Sequence, residues 1–211
     1  MQIQKNQSPY IQHINEEILV VSTKSLFSHV KPWQGINSFD FDTILQSIQN
    51  NISFMPRPHA ETNFAYKQII PYLIFSFDKK LFVMQRRSNA SEQRLANKLS
   101  LGIGGHIQEN DIKEKDIFNW ALREFYEEVN YRGTLSHKKI GFLNDDSSDV
   151  GKVHLGIVWL INGDLAEISI KNEHKNGMLL NMNECAQLYE NMESWSKICF
   201  DFLKSNLELM K

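Results

Sequence analysis

Residues 123–131 read Arg123-Glu124-Phe125-Tyr126-Glu127-Glu128-Val129-Asn130-Tyr131, and upstream of them stands the pair Gly104-Gly105. At 100° per residue, Glu124, Glu127 and Glu128 share one helical face. Three carboxylates crowded together raise one another's pKa, so a fold keeps them together when a cation or solvent offsets the repulsion. Oxygen-only donors suit a hard cation such as Mg²⁺ or Mn²⁺. Glu-x-x-Glu-Glu alone is also a common solvated helix face. The glycine pair and Arg123 are what move the reading toward a metal site on a helix.

The surrounding sequence supplies a frame for that helix. Leu99, Leu101 and Ile103 alternate with Ser100, Gly102 and Gly104, which is strand periodicity leading into the glycine turn. Phe118, Leu122, Phe125 and Val129 fall on one stripe, the core side of a helix. Asp111 followed by Glu114 fits a capping box at its start, and Asn130 stands where a left-handed residue would close it. Upstream, Ile69 to Phe77 and Leu81 to Gln85 flank the turn Asp78-Lys79-Lys80 and predict a hairpin. Downstream, strands are expected at Ser136 to Phe142, Val153 to Ile161 and Glu167 to Lys171. The tail from Met182 to Leu207 reads as helix broken near Met192-Glu193.

Residues 1–62 read as an N-terminal extension packed on a main domain of residues 63–211. Within it, Glu16 to Val21 predicts a strand and 32–38 a loop. Phe39 to Ile48 predicts a helix with Asp40 as its cap, and Pro56 and Pro58 interrupt regular structure. The extension could cap the pocket or form a homodimer interface.

The chain has 211 residues, a hydrophobic fraction of 42% and a net charge of −2. That composition supports a real core and offers no basic surface for nucleic acid. The polar N-terminus is no signal peptide, and no run reaches the length of a membrane helix. Cys185 and Cys199 are too few for a disulfide framework or a zinc site and read as small core side chains. A reducing, cytoplasmic location is the expectation.

The strand, glycine turn, carboxylate helix and further strands together resemble the Nudix hydrolase superfamily. Its signature is G-x5-E-x7-R-E-U-x-E-E-x-G-U, with U a bulky apolar residue. Gly105 matches the first glycine, and Arg123, Glu124, Phe125, Glu127, Glu128 and Tyr131 match the second half in order. The chain departs in three places. Asp111 stands for the first glutamate, eleven residues rather than seven separate it from Arg123, and Asn130 replaces the closing glycine. The Gly-Gly-His-Ile stretch with the longer helix also resembles a subgroup of predicted phosphoesterases.

The resemblance implies an α/β (α+β) fold, an α/β/α sandwich with a mixed sheet. It implies Mg²⁺-dependent hydrolysis, with Mn²⁺ as a substitute, of a diphosphate linkage in a small molecule such as a nucleoside diphosphate derivative. By the match, Glu124, Glu127, Glu128 and the carbonyl of Gly104 would bind the metal. Arg123 would orient Glu127, and Glu127 or Glu124 would act as base. Arg86, Arg87, Gly105 and His106 are the candidates for substrate contacts. Lys98 and Arg94 are weaker ones, Glu167 and Glu173 are remote alternatives for the base, and the loop acids Asp145, Asp146 and Asp149 read as a solvated turn. His154 reads as a core or pocket-wall residue. Of Trp33, Trp120, Trp159 and Trp195, Trp33 is the one expected at a pocket. Two other readings remain: a ligand-binding or regulatory module without chemistry, and an isomerase of isoprenoid diphosphates, which would want a cysteine near the metal.

Overall fold

The computed structural model describes residues 16–86, 98–113, 117–171 and 174–210. Arg87, Arg94, Glu114 and Glu173, each singled out above, lie outside the described residues. In chain order the elements are β1 (Glu17–Ser22), α1 (Thr23–Leu26), β2 (Gly35–Asn37), α2 (Phe41–Asn50), β3 (Ser53–Pro56) and α3 (Arg57–Ala60). They continue with β4 (Tyr66–Phe77), β5 (Lys80–Arg86), β6 (Leu99–Ser100), β7 (Gly102–Ile103), α4 (Ile117–Glu128) and β8 (Val129–Asn130). The remainder is β9 (Leu135–Asn144), α5 (Asp149–Lys152), β10 (His154–Gly163), β11 (Ser169–Ile170), β12 (His174–Leu180), α6 (Met182–Gln187) and α7 (Ser194–Ser205).

The centre of the sheet is β4, a long run of apolar residues buried on both faces, as a strand covered by helices on both sides must be. One edge of β4 pairs in parallel with β10, from Gln68 opposite His154 to Ser76 opposite Asn162. Its other edge is shared in turn by β1, β7 and β5, all antiparallel. Residues 69–72 fall between the β1 and β7 pairings, and Pro71 lies there, where neither neighbour requires a ladder bond. The sheet order β12-β5-β4-β10-β9-β2, with β1, β3, β6 and β7 attached, gives ten strands of mixed direction.

Strand alternation sends Leu73 and Phe75 of β4, with Trp159 and Ile161 of β10, to one face. There they meet Ile44 and Ile48 of α2 and Phe118, Ala121 and Phe125 of α4. Tyr72, Ile74, Val158 and Leu160 go to the other face, against Cys185 of α6 and Cys199, Phe200 and Leu203 of α7. The result is an α/β/α sandwich with a mixed sheet, as the resemblance implied. The segment 16–62 contributes strands to that same sheet: β1 pairs with β4, and β2 with β9.

Several local expectations are corrected. The hairpin is present, its turn made by Asp78 and Lys79 at φ of 45° and 60°, the left-handed pair that tight hairpins need. The 32–38 loop contains β2, and Asp40 precedes α2 without a side-chain cap bond. Asp111–Lys113 form a 3-10 turn, and α4 is described only from Ile117. Asn130 does not close α4 in a left-handed conformation, since Asp78 and Lys79 are the non-glycine residues with positive φ among those described. It lies in β8, paired with Ser169 of β11. The last carbonyls of α4 are satisfied instead by Lys171, whose amide donates to Glu128 O at 2.8 Å and whose ammonium donates to Tyr126 O. A cation at the negative end of a helix is favoured. Strand β12 went unforeseen; Asn176 and Gly177 disguise its period, and a register shift sits just before Asn176. Among the described residues no helix is long and apolar enough to cross a membrane.

Candidate active site

Strand β7 delivers Gly104 and Gly105, with Gly105 against Glu124 in the second half of α4. A Cβ on Gly104 would lie 2.1 Å from the carbonyl oxygen of Pro71, so the turn packs directly against the stretch of β4 that lies between its β1 and β7 pairings. A Cβ on Gly105 would lie 2.4 Å from the carboxyl carbon of Glu124. The second glycine is therefore a cradle for the Glu124 carboxylate, and any larger residue would expel it.

Arg123 is the hub of the helix side. Its Nε donates to Asp111 Oδ1 at 2.7 Å and its Nη2 to Asp111 Oδ2 at 2.8 Å, a bidentate fork. The same Nη2 donates to the carbonyl of His106 at 3.0 Å, and Nη1 donates to Glu127 Oε2 at 3.0 Å. Nη1 also lies 2.8 Å from Glu124 Oε1. One guanidinium thus ties the glycine turn, the 3-10 turn and two acids of the helix together. Asp111 reaches Arg123 despite the longer spacing, and its Oδ2 also accepts from the Gln108 amide at 2.8 Å. The expected capping box of Asp111 with Glu114 involves a residue outside those described.

Burial pushes the Glu124 carboxyl up to about 7. Arg123 pulls it down, while the charges of Glu127 and Glu16 push it up again. Glu16 enters from the residue before β1, where its Oε1 accepts from Gln108 Nε2 at 3.0 Å and its Oε2 pairs with Arg57 at 3.3 Å. Glu127 is exposed and Glu128 half-buried on the same helix. Among the described residues no three His, Cys, Asp or Glu side chains converge on a point that could hold a metal ion. The donor chemistry still suits a hard cation: a desolvated, charge-crowded carboxylate set against a glycine cradle, with further carboxylates on the same helix.

A cavity of about 310 Å³ opens beside the glycine turn. Gly104, Gly105 and His106 form one side, and Ser148, Val150 and His154 form another. Glu193, Ser194 and Trp195, at the start of α7, form the third. His106 Nε2 donates to Gln68 Oε1 at 2.8 Å, and His154 Nδ1 donates to the Val150 carbonyl at 2.7 Å. Since a carbonyl only accepts, that bond puts a proton on Nδ1 of His154.

The loop over the cavity is tied down by two acids that were expected to be a solvated turn. Lys67, 2% exposed, donates to Asp146 Oδ1 at 2.6 Å and to the Gly151 carbonyl at 2.9 Å. Burial pulls the Lys67 ammonium below the usual lysine range, and Asp146 opposes that pull. Asp145 is buried; burial works against its charge, but hydrogen bonds from Ser147, Gln34 and Ser194 outweigh it and hold the carboxyl below its usual value. Asp146 and Asp149 are exposed as expected of a turn, Asp146 paired with Lys67 and Asp149 with Lys152, whereas Asp145 is buried.

Trp33 is not at this cavity. Its Nε1 donates to the carbonyls of Gly35 and Phe142, pinning the chain before β2. Trp195 lines the cavity instead, together with Glu193. From the sequence, Trp33 is preferred over Trp195 for the pocket and Glu193 is not singled out as a site residue, because Trp195 and Glu193 enter from the opposite face of the sheet through the start of the last long helix. Arg86 ends β5, with its backbone paired to His174. Lys98 and Glu167 are exposed. Cys185 and Cys199 are free and buried on the α6–α7 face, and burial raises both thiols, Cys185 to about 11.

The glycine cradle, the Arg-Glu helix and the sandwich around them define a Nudix hydrolase, and the chain belongs to that superfamily, whose enzymes cleave phosphoric anhydride bonds. It is 32% identical to Protein YmaB of Bacillus subtilis (strain 168) over 205 residues, which is 90% of this chain and 98% of that one. It is similar to Tm1382, assigned as a Nudix hydrolase, with 27% identity, a TM-score of 0.77, and 90% of this chain and 100% of the other covered. DR0079 of Deinococcus radiodurans shares the fold at 15% identity and a TM-score of 0.53, over 80% of this chain and 96% of its own. No protein-family model matches the chain.

Proposed function

We propose that the protein hydrolyses a diphosphate linkage in a small molecule, a nucleoside diphosphate derivative, with Mg²⁺ or Mn²⁺ bound by Glu124, Glu127, Glu128 and the Gly104 carbonyl. The observation that carries this reading is the Glu124 carboxylate, desolvated in the Gly105 cradle with its pKa pushed up to about 7. A buried carboxylate whose charge is disfavoured is poised to take up a cation or a proton. When bound, the cation supplies Lewis acidity toward the phosphate oxygens and acidifies a water.

The chain's own residues do the rest. Arg123 holds Glu127 and Glu124 through one Nη1, and holds the glycine turn through the His106 carbonyl. The acids and the turn therefore keep a fixed relation while the substrate binds. Glu127 or Glu124 takes the proton from the attacking water. The loop pinned by Lys67 and Asp146 forms one wall of the cavity. Arg86, the last residue of β5, and Arg87, which follows it in sequence, are the guanidinium groups proposed for the phosphates. The site is read as working in the cytoplasm on small molecules, with no nucleic acid or membrane partner.

Turnover of a panel of nucleoside diphosphate derivatives, followed by phosphate release after a phosphatase step, tests this. Glu127→Gln and Glu124→Gln should each lose about 10²–10⁴-fold in kcat if that carboxylate is the base. Glu128→Gln should raise the Mg²⁺ concentration needed for half-maximal rate. Wild-type rates in folded Glu127→Gln and Glu128→Gln, or no release from any substrate with either metal, would refute the assignment.

A further inference from the structure

Strand β1 does more for the site than extend the sheet. Its Leu19 amide donates to the carbonyl of Ile107 at 2.8 Å, a bond outside any strand pairing. Leu19 and Ile107 are both buried in the core that holds α4. The loop from the glycine turn to the 3-10 turn is therefore gripped from two sides at successive residues. Arg123 of α4 holds the His106 carbonyl, and β1 holds the Ile107 carbonyl. The third residue, Gln108, is held through its side chain by Glu16, the residue before β1.

Glu16 is itself fixed. Its Oε1 accepts from Gln108 Nε2 at 3.0 Å, and its Oε2 accepts from Arg57 Nη1 at 3.3 Å. The Arg57 amide donates to the Glu16 carbonyl at 2.9 Å, so main chain and side chain are both tied to the start of α3. The Glu16 side chain is 14% exposed, and water competes little for these bonds. With an N–H donor at each oxygen, one of them a guanidinium, the carboxylate is oriented to hold the turn rather than to ligate an ion.

Gln108 passes the constraint inward. Its amide donates to Asp111 Oδ2 at 2.8 Å, and Asp111 takes the bidentate fork of Arg123. Arg123 in turn holds Glu127 and lies against Glu124. An unbroken path of hydrogen bonds thus runs from Arg57 through Glu16, Gln108, Asp111 and Arg123 to Glu127. The Gly104 carbonyl stands on the same loop, four residues before Gln108. Groups that orient metal ligands from behind set affinity nearly as strongly as the ligands do.

We infer that Glu16 is a positioning residue of the metal site: acting through Gln108, it holds the loop that carries the Gly104 carbonyl in register with the acids of α4. The inference rests on the hydrolase reading for the identity of the metal ligands, but its test involves no bond cleavage.

The experiment is a titration of the full chain with Mn²⁺ and no substrate, the free ion being counted by electron paramagnetic resonance. Glu16→Ala and Gln108→Ala should each weaken binding about tenfold or more. The double variant should be no weaker than the weaker single, because both changes remove the same bond. Glu16→Gln keeps an acceptor for Gln108 and should stay within about threefold of wild type, which separates position from charge. Glu61→Ala removes the other carboxylate on Arg57 and should leave the affinity within about twofold, since that acid is exposed and off the path. Wild-type affinity in Glu16→Ala, summed losses in the double variant, a Glu16→Gln as weak as Glu16→Ala, or an equal loss in Glu61→Ala overturns the inference. Should Glu16→Ala fail to fold, Gln108→Ala decides, and unchanged affinity there overturns it. A wild-type chain that takes up no Mn²⁺ refutes both readings. A chain whose affinity falls as expected but which hydrolyses nothing keeps this inference and loses the hydrolase reading; a hydrolase indifferent to Glu16 does the reverse.

Discussion

At the scale of the residue, the site depends on what is missing as much as on what is present. Gly105 has no side chain, and Glu124 occupies the space one would fill. Gly105→Ala should leave the far-UV circular dichroism unchanged while kcat falls about a hundredfold, the order of loss expected when a catalytic group is displaced by an ångström. The ion pair under the loop behaves asymmetrically. Lys67 is 2% exposed, whereas the Asp146 side chain is 44% exposed. Asp146→Asn leaves the buried ammonium with the Gly151 carbonyl but no paired charge and should cost about 1.5–3 kcal/mol, the worth of a hydrogen bond to a charged group, read from chemical denaturation. Lys67→Met removes the buried charge itself and should cost less. The sign with pH follows from the lowered Lys67 pKa. The unfolded chain binds the proton more tightly than the native one between the native value and 10.5, so stability should rise with pH across that window. The rise should be steeper in Asp146→Asn, where the opposing pull is gone.

At the scale of the element, α4 works because one arginine joins it to two turns. Arg123→Lys keeps the charge but cannot repeat the bidentate fork to Asp111. It should lower turnover about 10–100-fold, as loss of a residue that orients metal-site ligands does, and it should not be rescued by excess Mg²⁺. Sequence periodicity exposed α4, the hairpin and the alternating strand before the glycines, because each buries one stripe or face and leaves a period in the chain. It also placed the break in the tail helices. It failed where a local rule was overridden from afar. Asn130 looked like a helix terminator, but Lys171, distant in sequence, supplies what the helix end needs. Asp145 and Asp146 looked like solvent-facing turn residues, but Gln34 and Lys67 are brought to them only by the folded sheet. Trp195 was weighed but passed over for Trp33, and Glu193 was not singled out as a site residue, since a residue at a helix start reads the same whether or not it faces a cavity.

At the scale of the whole molecule, residues before 63 are threaded into the sheet: β1 lies along β4, and β2 closes the far edge against β9. Leu19, Val21, Ile44 and Ile48 sit fully or almost fully buried in the core that also holds α4. A chain of residues 63–211 should therefore show no cooperative thermal transition; a sigmoidal melt near that of the full protein would place the boundary where sequence composition alone suggested it. The parallel pairing of β4 with β10 carries a further consequence, for biosynthesis. The two strands are far apart in the chain, so on a ribosome adding about 5–20 residues per second the greasy ribbon 69–75 must wait several seconds for its mate. During that interval it is a sticky, edge-open template, and a nascent chain stalled before residue 154 should be a substrate for chaperones and fast to aggregate, whereas one extended past residue 163 should become protease-resistant.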